Sequence, residues 1–233
     1  MDRVHRRELK HDKFVEQVGH SVEYASEHKR QLTKWGSIAA AVLVVIVGAY
    51  WYVNHQDAVR QDELRDAIRL QQANVGAEQN AYVMNFPTQA DKDEAVEKAF
   101  TDLANKYGSK KEGEIARFYL GAMYSDKGNI AEAEKQWKQV ADSGSTEYAS
   151  QAKFSLAQLY DAEGRQADAE KLLRQLIDHP TILVSKEQAQ IALGRMLART
   201  KPDEARKLLE PLRTERAAVS RVAINALSDI SAR

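Results

Sequence analysis

The sequence predicts an all-α chain, a single transmembrane helix followed by an α-solenoid of stacked helix pairs with a capping helix. Three observations predict it. From Trp35 to Gln56 there are 22 residues without a formal charge, with Ile38, Val42, Leu43, Val44, Val45, Ile46, Val47 and Val53 among them. As helix that run measures about 33 Å, against a hydrocarbon core of about 30 Å. Only 4 Pro and 11 Gly occur in 233 residues otherwise rich in Ala, Leu, Gln, Glu and Lys; this composition favours helix throughout, and no sheet is expected. The third observation is a pattern between residues 121 and 173 that recurs after 36 residues.

The chain divides accordingly into a basic cytoplasmic tail at 1–34, an anchor at 35–56 and an extracytoplasmic repeat domain at 57–233. Phe14, Val18, Val22 and Ala25 recur at helical spacing in the tail. They predict either an amphipathic helix that docks on a partner or the inner leaflet, or a partly ordered segment. The apolar run has no polar face to turn to water, so it does not read as a buried helix of a soluble core. It ends in Tyr50, Trp51 and Tyr52 and not in a small-residue cleavage site, so it reads as a retained anchor with aromatic belts at Trp35 and Tyr50–Tyr52. Lys29, Arg30 and Lys34 precede it, whereas Arg60 and Arg65 follow amid Asp57, Asp62 and Glu63. That bias places the amino terminus in the cytoplasm and the large domain across the membrane.

Between Gly48 and Gly76 there is neither Pro nor Gly, so the anchor helix is expected to run on through Gln72, with a narrow apolar stripe of Leu64, Ala67, Ile68 and Gln71. Asn74, Val75 and Gly76 break it. A further helix is expected through Ala81 to Phe86, stopped by Pro87, as the first helix of an initial pair whose second is Ala95 to Tyr107. Asp91 then opens another, with Ala95, Val96, Ala99, Phe100 and Leu103 inward and Gly108 as its carboxyl-terminal cap.

Next come two units at the same spacing. Gly121, Tyr124, Gly128, Ala133 and Trp137 are matched 36 residues later by Ala157, Tyr160, Gly164, Ala169 and Leu173. A period of this size means stacked helix pairs that cannot bury their apolar faces singly. Gly121 and Ala157 are small where the paired helices cross, Ala133 and Ala169 admit the second helix, and Gly128 and Gly164 supply the positive φ that leaves a helix. A third unit has Ser185 and Gln188 as a capping box, then Leu193, Gly194 and Leu197, a turn at Lys201-Pro202 and a second helix over Asp203 to Leu212. A last helix, about Glu215 to Ile230, caps the array.

Leu120-Gly121, Tyr124, Ala133 and Trp137, and then Leu156-Ala157, Tyr160, Ala169, Leu173 and Pro180, resemble the tetratricopeptide repeat pattern. Arg117 and Lys153 stand where that pattern opens with Trp, so the repeats are degenerate.

Lys and Arg number 34 and Asp and Glu 34, so no sustained positive field points to nucleic acid. Cysteine is absent, which removes disulfides, thiol nucleophiles and thiolate metal sites. The six histidines show no metal-binding spacing, and no phosphate loop or nucleophile elbow occurs. The chain therefore reads as a non-enzyme without cofactors, metal site or small-molecule substrate, and its many Asp and Glu read as solvated surface charge. Binding is the expected activity. In stacked helix pairs the first helices line a concave groove, and Phe118, Ala122, Phe154, Gln158, Asp161 and Arg195 are its candidates. Phe118 and Phe154 occupy equivalent places; they are either an apolar floor for a ligand or core.

Short tail, one anchor and degenerate repeats, together with the YWYVNHQ run from Tyr50 to Gln56 and a closing helix around Ala223 to Ile230, resemble the ancillary subunit family of the bacterial Sec translocon. The resemblance implies a single-pass inner-membrane protein with a periplasmic domain, an adaptor or co-chaperone whose partners are translocon subunits, a periplasmic chaperone and nascent envelope polypeptides. The alternative is a scaffold for another envelope complex, with the tail contacting a cytoplasmic partner.

Overall fold

The computed structural model describes residues 29–76, 84–108, 110–214 and 217–231. The tail positions Phe14, Val18, Val22 and Ala25, and residues 81–83 of the helix expected before Pro87, lie outside them. Helix α1, Lys29–Gln71, is continuous over 43 residues. The chain forms two compact units with their boundary between Val59 and Arg60. In the first, every large apolar side chain from Trp35 to Val53 that the structure describes is exposed. This is the one helix among the described residues long and apolar enough to cross a membrane.

In the second unit α1 ends at a break, as its Asn74-Val75-Gly76 sequence predicts, but the chain then does what the composition does not announce. Strand β1, Asn74–Val75, pairs in parallel with β2, Asn85–Phe86, so Asn85 and Phe86 are extended and not helical. Pro87 disfavours helical backbone in the residue before it. Gly76 turns the chain at φ 121°, and the Asn85 amide donates to the Gly76 carbonyl at 2.7 Å.

Helix α2, Gln89–Lys106, begins two residues before Asp91, because the Thr88 side chain caps it by accepting from the Asp91 N–H. Gly108 does not cap it by a positive φ, which is found only at Gly76, Gly128 and Gly164 among the described glycines. Instead Arg117 reaches back, donating to the Gly108 carbonyl at 2.7 Å and the Ala104 carbonyl at 3.1 Å. A side chain at Gly108 would collide with that guanidinium. The residue standing in for the repeat's opening Trp thus satisfies orphan carbonyls at the end of α2.

The array continues with α3, Lys111–Asp126, α4, Ile130–Ser143, α5, Thr146–Ala162, and α6, Gln166–Asp178. Each packs against the next. Gly128 and Gly164 leave α3 and α5 at φ 74° and 76°. Ala133, Ala157 and Ala169 are sealed from water. Gly121 faces Trp137, whose indole N–H donates to the Phe118 carbonyl at 3.1 Å. The spacing of small and large residues is therefore the spacing of helix crossings.

Helix α7, Lys186–Leu197, starts at Ser185, whose hydroxyl accepts from the Gln188 N–H. Helix α8, Pro202–Leu209, is shorter than expected and continues as a 3-10 turn, Glu210–Thr214. Pro211 has no N–H to give to an α-helical ladder. Helix α9, Ala217–Ser231, closes the array on α8 and α7. Two clusters make the core. Leu64 and Ala67 of α1 meet Val96, Phe100, Leu103, Ile115 and Leu120 in one; the other runs from Ala133 to Ile230. The first helix of the initial pair is therefore the end of α1, not a helix ending near Phe86. Tyr124 and Tyr148 pack against both clusters, so the array has no break in its interior.

Candidate functional site

Helices α3, α5, α7 and α9 occupy the first-helix place of successive pairs. Their period decides what they present on the inner face of the array. On α5 that face carries Phe154, Gln158 and Asp161; on α7, Gln188, Ile191, Ala192 and Arg195; on α9, Val219, Val222, Ala226 and Asp229. Together these line a cavity of ≈ 750 Å³. The volume falls in the range of about 300–1,000 Å³ usual for ligand pockets.

Of the sequence-derived candidates, Phe154, Gln158, Asp161 and Arg195 meet in this cavity. Ala122 lines a second depression with Trp137 and Ser155 that shares Gln158. Phe118 is apart from both, among the rings of Tyr119, Trp137 and Tyr148 at centroid distances of 6.1 to 6.5 Å. Phe154 is 8% exposed and belongs to the core cluster, so it forms floor more than contact surface. Gln158 and Arg195 are exposed. Asp161 is held by Arg199 at 2.6 Å.

The α9 contribution was missed, although Val219, Val222 and Ala226 stand at helical spacing. A helix read as a cap is credited with covering the array, yet α9 also extends its groove.

The reading of the acidic residues as solvated charge needs correction at the joints between pairs. The Tyr124 hydroxyl donates to Glu97 at 3.1 Å, and Lys127 lies 2.6 Å from the same carboxylate. One unit on, Tyr160 donates to Glu134 at 2.9 Å and Arg165 at 3.0 Å. In the third, Lys201 donates to Glu170 at 3.1 Å, and Arg174 pairs with both Glu170 and Glu204. Each second helix thus offers a Glu to a cation at or just beyond the end of the next first helix. Tyr124 and Tyr160 do more than fill space; they direct their hydroxyls into these clasps.

The clasps set the charge states. Lys138, bonded at 2.7 Å, is the chief cause holding the Glu134 carboxyl down at about 2, with Tyr160 and Arg165 adding to it. Lys127 lowers Glu97, and Arg174 followed by Lys201 lowers Glu170. A carboxyl lowered on folding contributes stability that is present above its ordinary 4.5 and lost as pH falls toward its folded value. The urea midpoint of the protein is therefore expected to fall between pH 4.5 and about 2. Glu134→Gln should start lower at neutral pH and fall less over the same window, measured by circular dichroism at 222 nm. Parallel acid profiles for the two proteins would show that the clasp carries no stability.

The tetratricopeptide repeat-like domain matches residues 29–175, from the first residue of α1 into α6. The chain belongs to that family. No curated protein and no solved structure matches it. The matched span takes in the apolar run, the pair α3 and α4, all of α5 and most of α6, and stops short of α7 and α9, which supply most of the cavity wall. Tetratricopeptide-like domains in general are protein-interaction folds.

Proposed function

We propose that the protein is a membrane-anchored, non-enzymatic adaptor or co-chaperone of the bacterial envelope. The groove over α5, α7 and α9 carries this reading, an apolar floor with exposed Gln158 and Arg195 at its rim. A polypeptide segment fits such a surface: apolar side chains meet Phe154, Ile191 and Val222, while the rim amide and guanidinium bond its backbone carbonyls. The exposed run from Trp35 to Val53 supports the anchor, since so much uncovered apolar surface needs a nonaqueous surrounding. The amino-terminal tail is then cytoplasmic and the repeat domain periplasmic. Its partners in this reading are translocon subunits, a periplasmic chaperone and polypeptides emerging from the translocon. The burial of Phe154 and the half-burial of Phe118 favour a second reading, a rigid scaffold for another envelope complex that docks by an outer face.

Both parts are tested by one experiment, photo-crosslinking in cells from Gln158 and Arg195, followed by carbonate washing of the membranes. The protein is expected to stay in the washed membrane and to yield adducts with translocon subunits, a periplasmic chaperone or many nascent envelope proteins. Extraction by carbonate overturns the anchor. Adducts confined to one unrelated envelope complex turn the reading to the scaffold, and no adduct from either position overturns the groove.

A further inference from the structure

Between α6 and α7 the chain makes an apolar tip. Ile182 is 88% exposed and Leu183 41%, and Ile182 is the most exposed large apolar side chain among the described residues, those of the anchor run included. Exposure of this kind in a loose loop would mean little, but this loop is fixed. The Thr181 N–H donates to the Val184 carbonyl at 2.9 Å, and the Val184 N–H donates to the Thr181 hydroxyl oxygen at 3.1 Å. That hydroxyl shares a further hydrogen bond of 2.7 Å with Ser150 of α5. Val184 is fully buried beneath the tip, and Pro180 limits the backbone at its entry. Two aliphatic side chains are thus presented in a preset conformation, which lowers the entropy lost when they bind.

A recess begins at the residues that follow them. Ser185, Glu187 and Gln188, the residues that follow the tip, form one edge of the cavity whose floor is Phe154, Ile191, Ala192 and Val222. A projection and a recess formed by adjoining residues of one chain are what a twofold, self-complementary contact can use. The ≈ 750 Å³ of the cavity receives two aliphatic side chains with room to spare. Charge does not oppose the contact. Pro180 to Ser185 is uncharged. Lys186 at the base of the tip and Asp229 on the cavity wall form no ion pair among the described residues, and they are opposite in sign.

We propose that a second copy of this chain covers the groove, each copy inserting Ile182 and Leu183 into the α5–α7–α9 cavity of the other. The proposal stands whether or not the groove also takes a foreign polypeptide. Where it does, the two compete for the same floor, and self-association shields the groove until a client displaces it.

The absence of cysteine in the chain makes the test clean. Full-length Ile182→Cys and Val222→Cys proteins, purified in mild detergent and mixed, are oxidised and run on non-reducing gels, with Thr101→Cys on α2 in place of Val222→Cys as the control. Heterodimer is expected between Ile182→Cys and Val222→Cys and not with the control. In a second arm Leu183→Asp is added to the Ile182→Cys protein, which should reduce that heterodimer by about tenfold, the effect of losing one buried aliphatic contact. Its thermal melt should be unchanged, because the tip is outside the core. A heterodimer no stronger than the control overturns the proposal, even in a chain that dimerises elsewhere. So does a yield that Leu183→Asp leaves intact.

Discussion

Replacing Trp137 by alanine is expected to lower the stability of the repeat domain by about 4 kcal/mol, within the range of about 3–5 for truncating a buried aromatic. The indole is 6% exposed, and its N–H is spent on the Phe118 carbonyl. It fills the space that Gly121 leaves open; a Cβ built on Gly121 would stand 2.5 Å from the indole nitrogen. The loss is therefore a cavity between α3 and α4, a broken hydrogen bond and a slack crossing at once. Urea unfolding of the full chain in mild detergent measures it, with a lower midpoint at unchanged slope. A second variant separates the crossing from general core loss. Gly121→Ala alone should destabilise by collision with the ring, but in the Trp137→Ala background the added methyl enters vacated space. The double variant should consequently be less damaged than the two losses added together. Strict additivity would mean that Gly121 and Trp137 do not share one packing site.

Gly113→Ala is expected to cost about 3 kcal/mol or more, the upper part of the overpacking range. Helix propensity alone predicts the opposite sign, since Ala improves on Gly inside a helix by about 1 kcal/mol. The reason is contact with backbone. A Cβ at Gly113 would press into the carbonyl of Tyr107 and lie 2.8 Å from the Gly108 nitrogen. No rotamer change relieves a clash with main chain, so the turn between α2 and α3 must open. Opening it also draws Ala104 and Gly108 away from Arg117. Unfolding midpoints check the magnitude, and faster amide exchange at residues 104–108 checks the place. A stabilised Gly113→Ala would show that propensity outweighs the crossing.

These two sites differ in how far the sequence exposes them. Gly121 and Trp137 fall on the 36-residue repeat, and their equivalents at Ala157 and Leu173 reveal that something small faces something large. Gly113 is also followed 36 residues on by a small residue, Ala149, but what it faces is the main chain of Tyr107 and Gly108 and not a large side chain, so nothing in the pattern marks it. The same distinction runs through the rest. Leu64, Ala67, Val96, Phe100 and Leu103 are inward because periodicity is a property of single helices. Asn85 and Phe86 pair with Asn74 and Val75, an encounter between segments apart in the sequence, which local preference does not encode. In the groove, Phe154, Gln158, Asp161 and Arg195 follow from the repeat. The apolar face of α9 was visible but not its second use, and Phe118 lies half-buried against the core, among Tyr119, Trp137 and Tyr148.

Most informative of the missed features are the glutamate clasps. Glu97, Glu134 and Glu170 recur at 37 and 36 residues, and Lys127, Arg165 and Lys201 at 38 and 36. The tolerance of one or two residues in that rhythm is what hides them from a strict period. Because each helix pair brings the acid for the joint on one side and the base for the joint on the other, the charged ends of one pair match those of the next. Length is then a free variable of the architecture. A gene segment coding for one such block can be duplicated or deleted in frame and still yield matching ends, so the lineage can resize its groove by copying rather than by inventing a new junction.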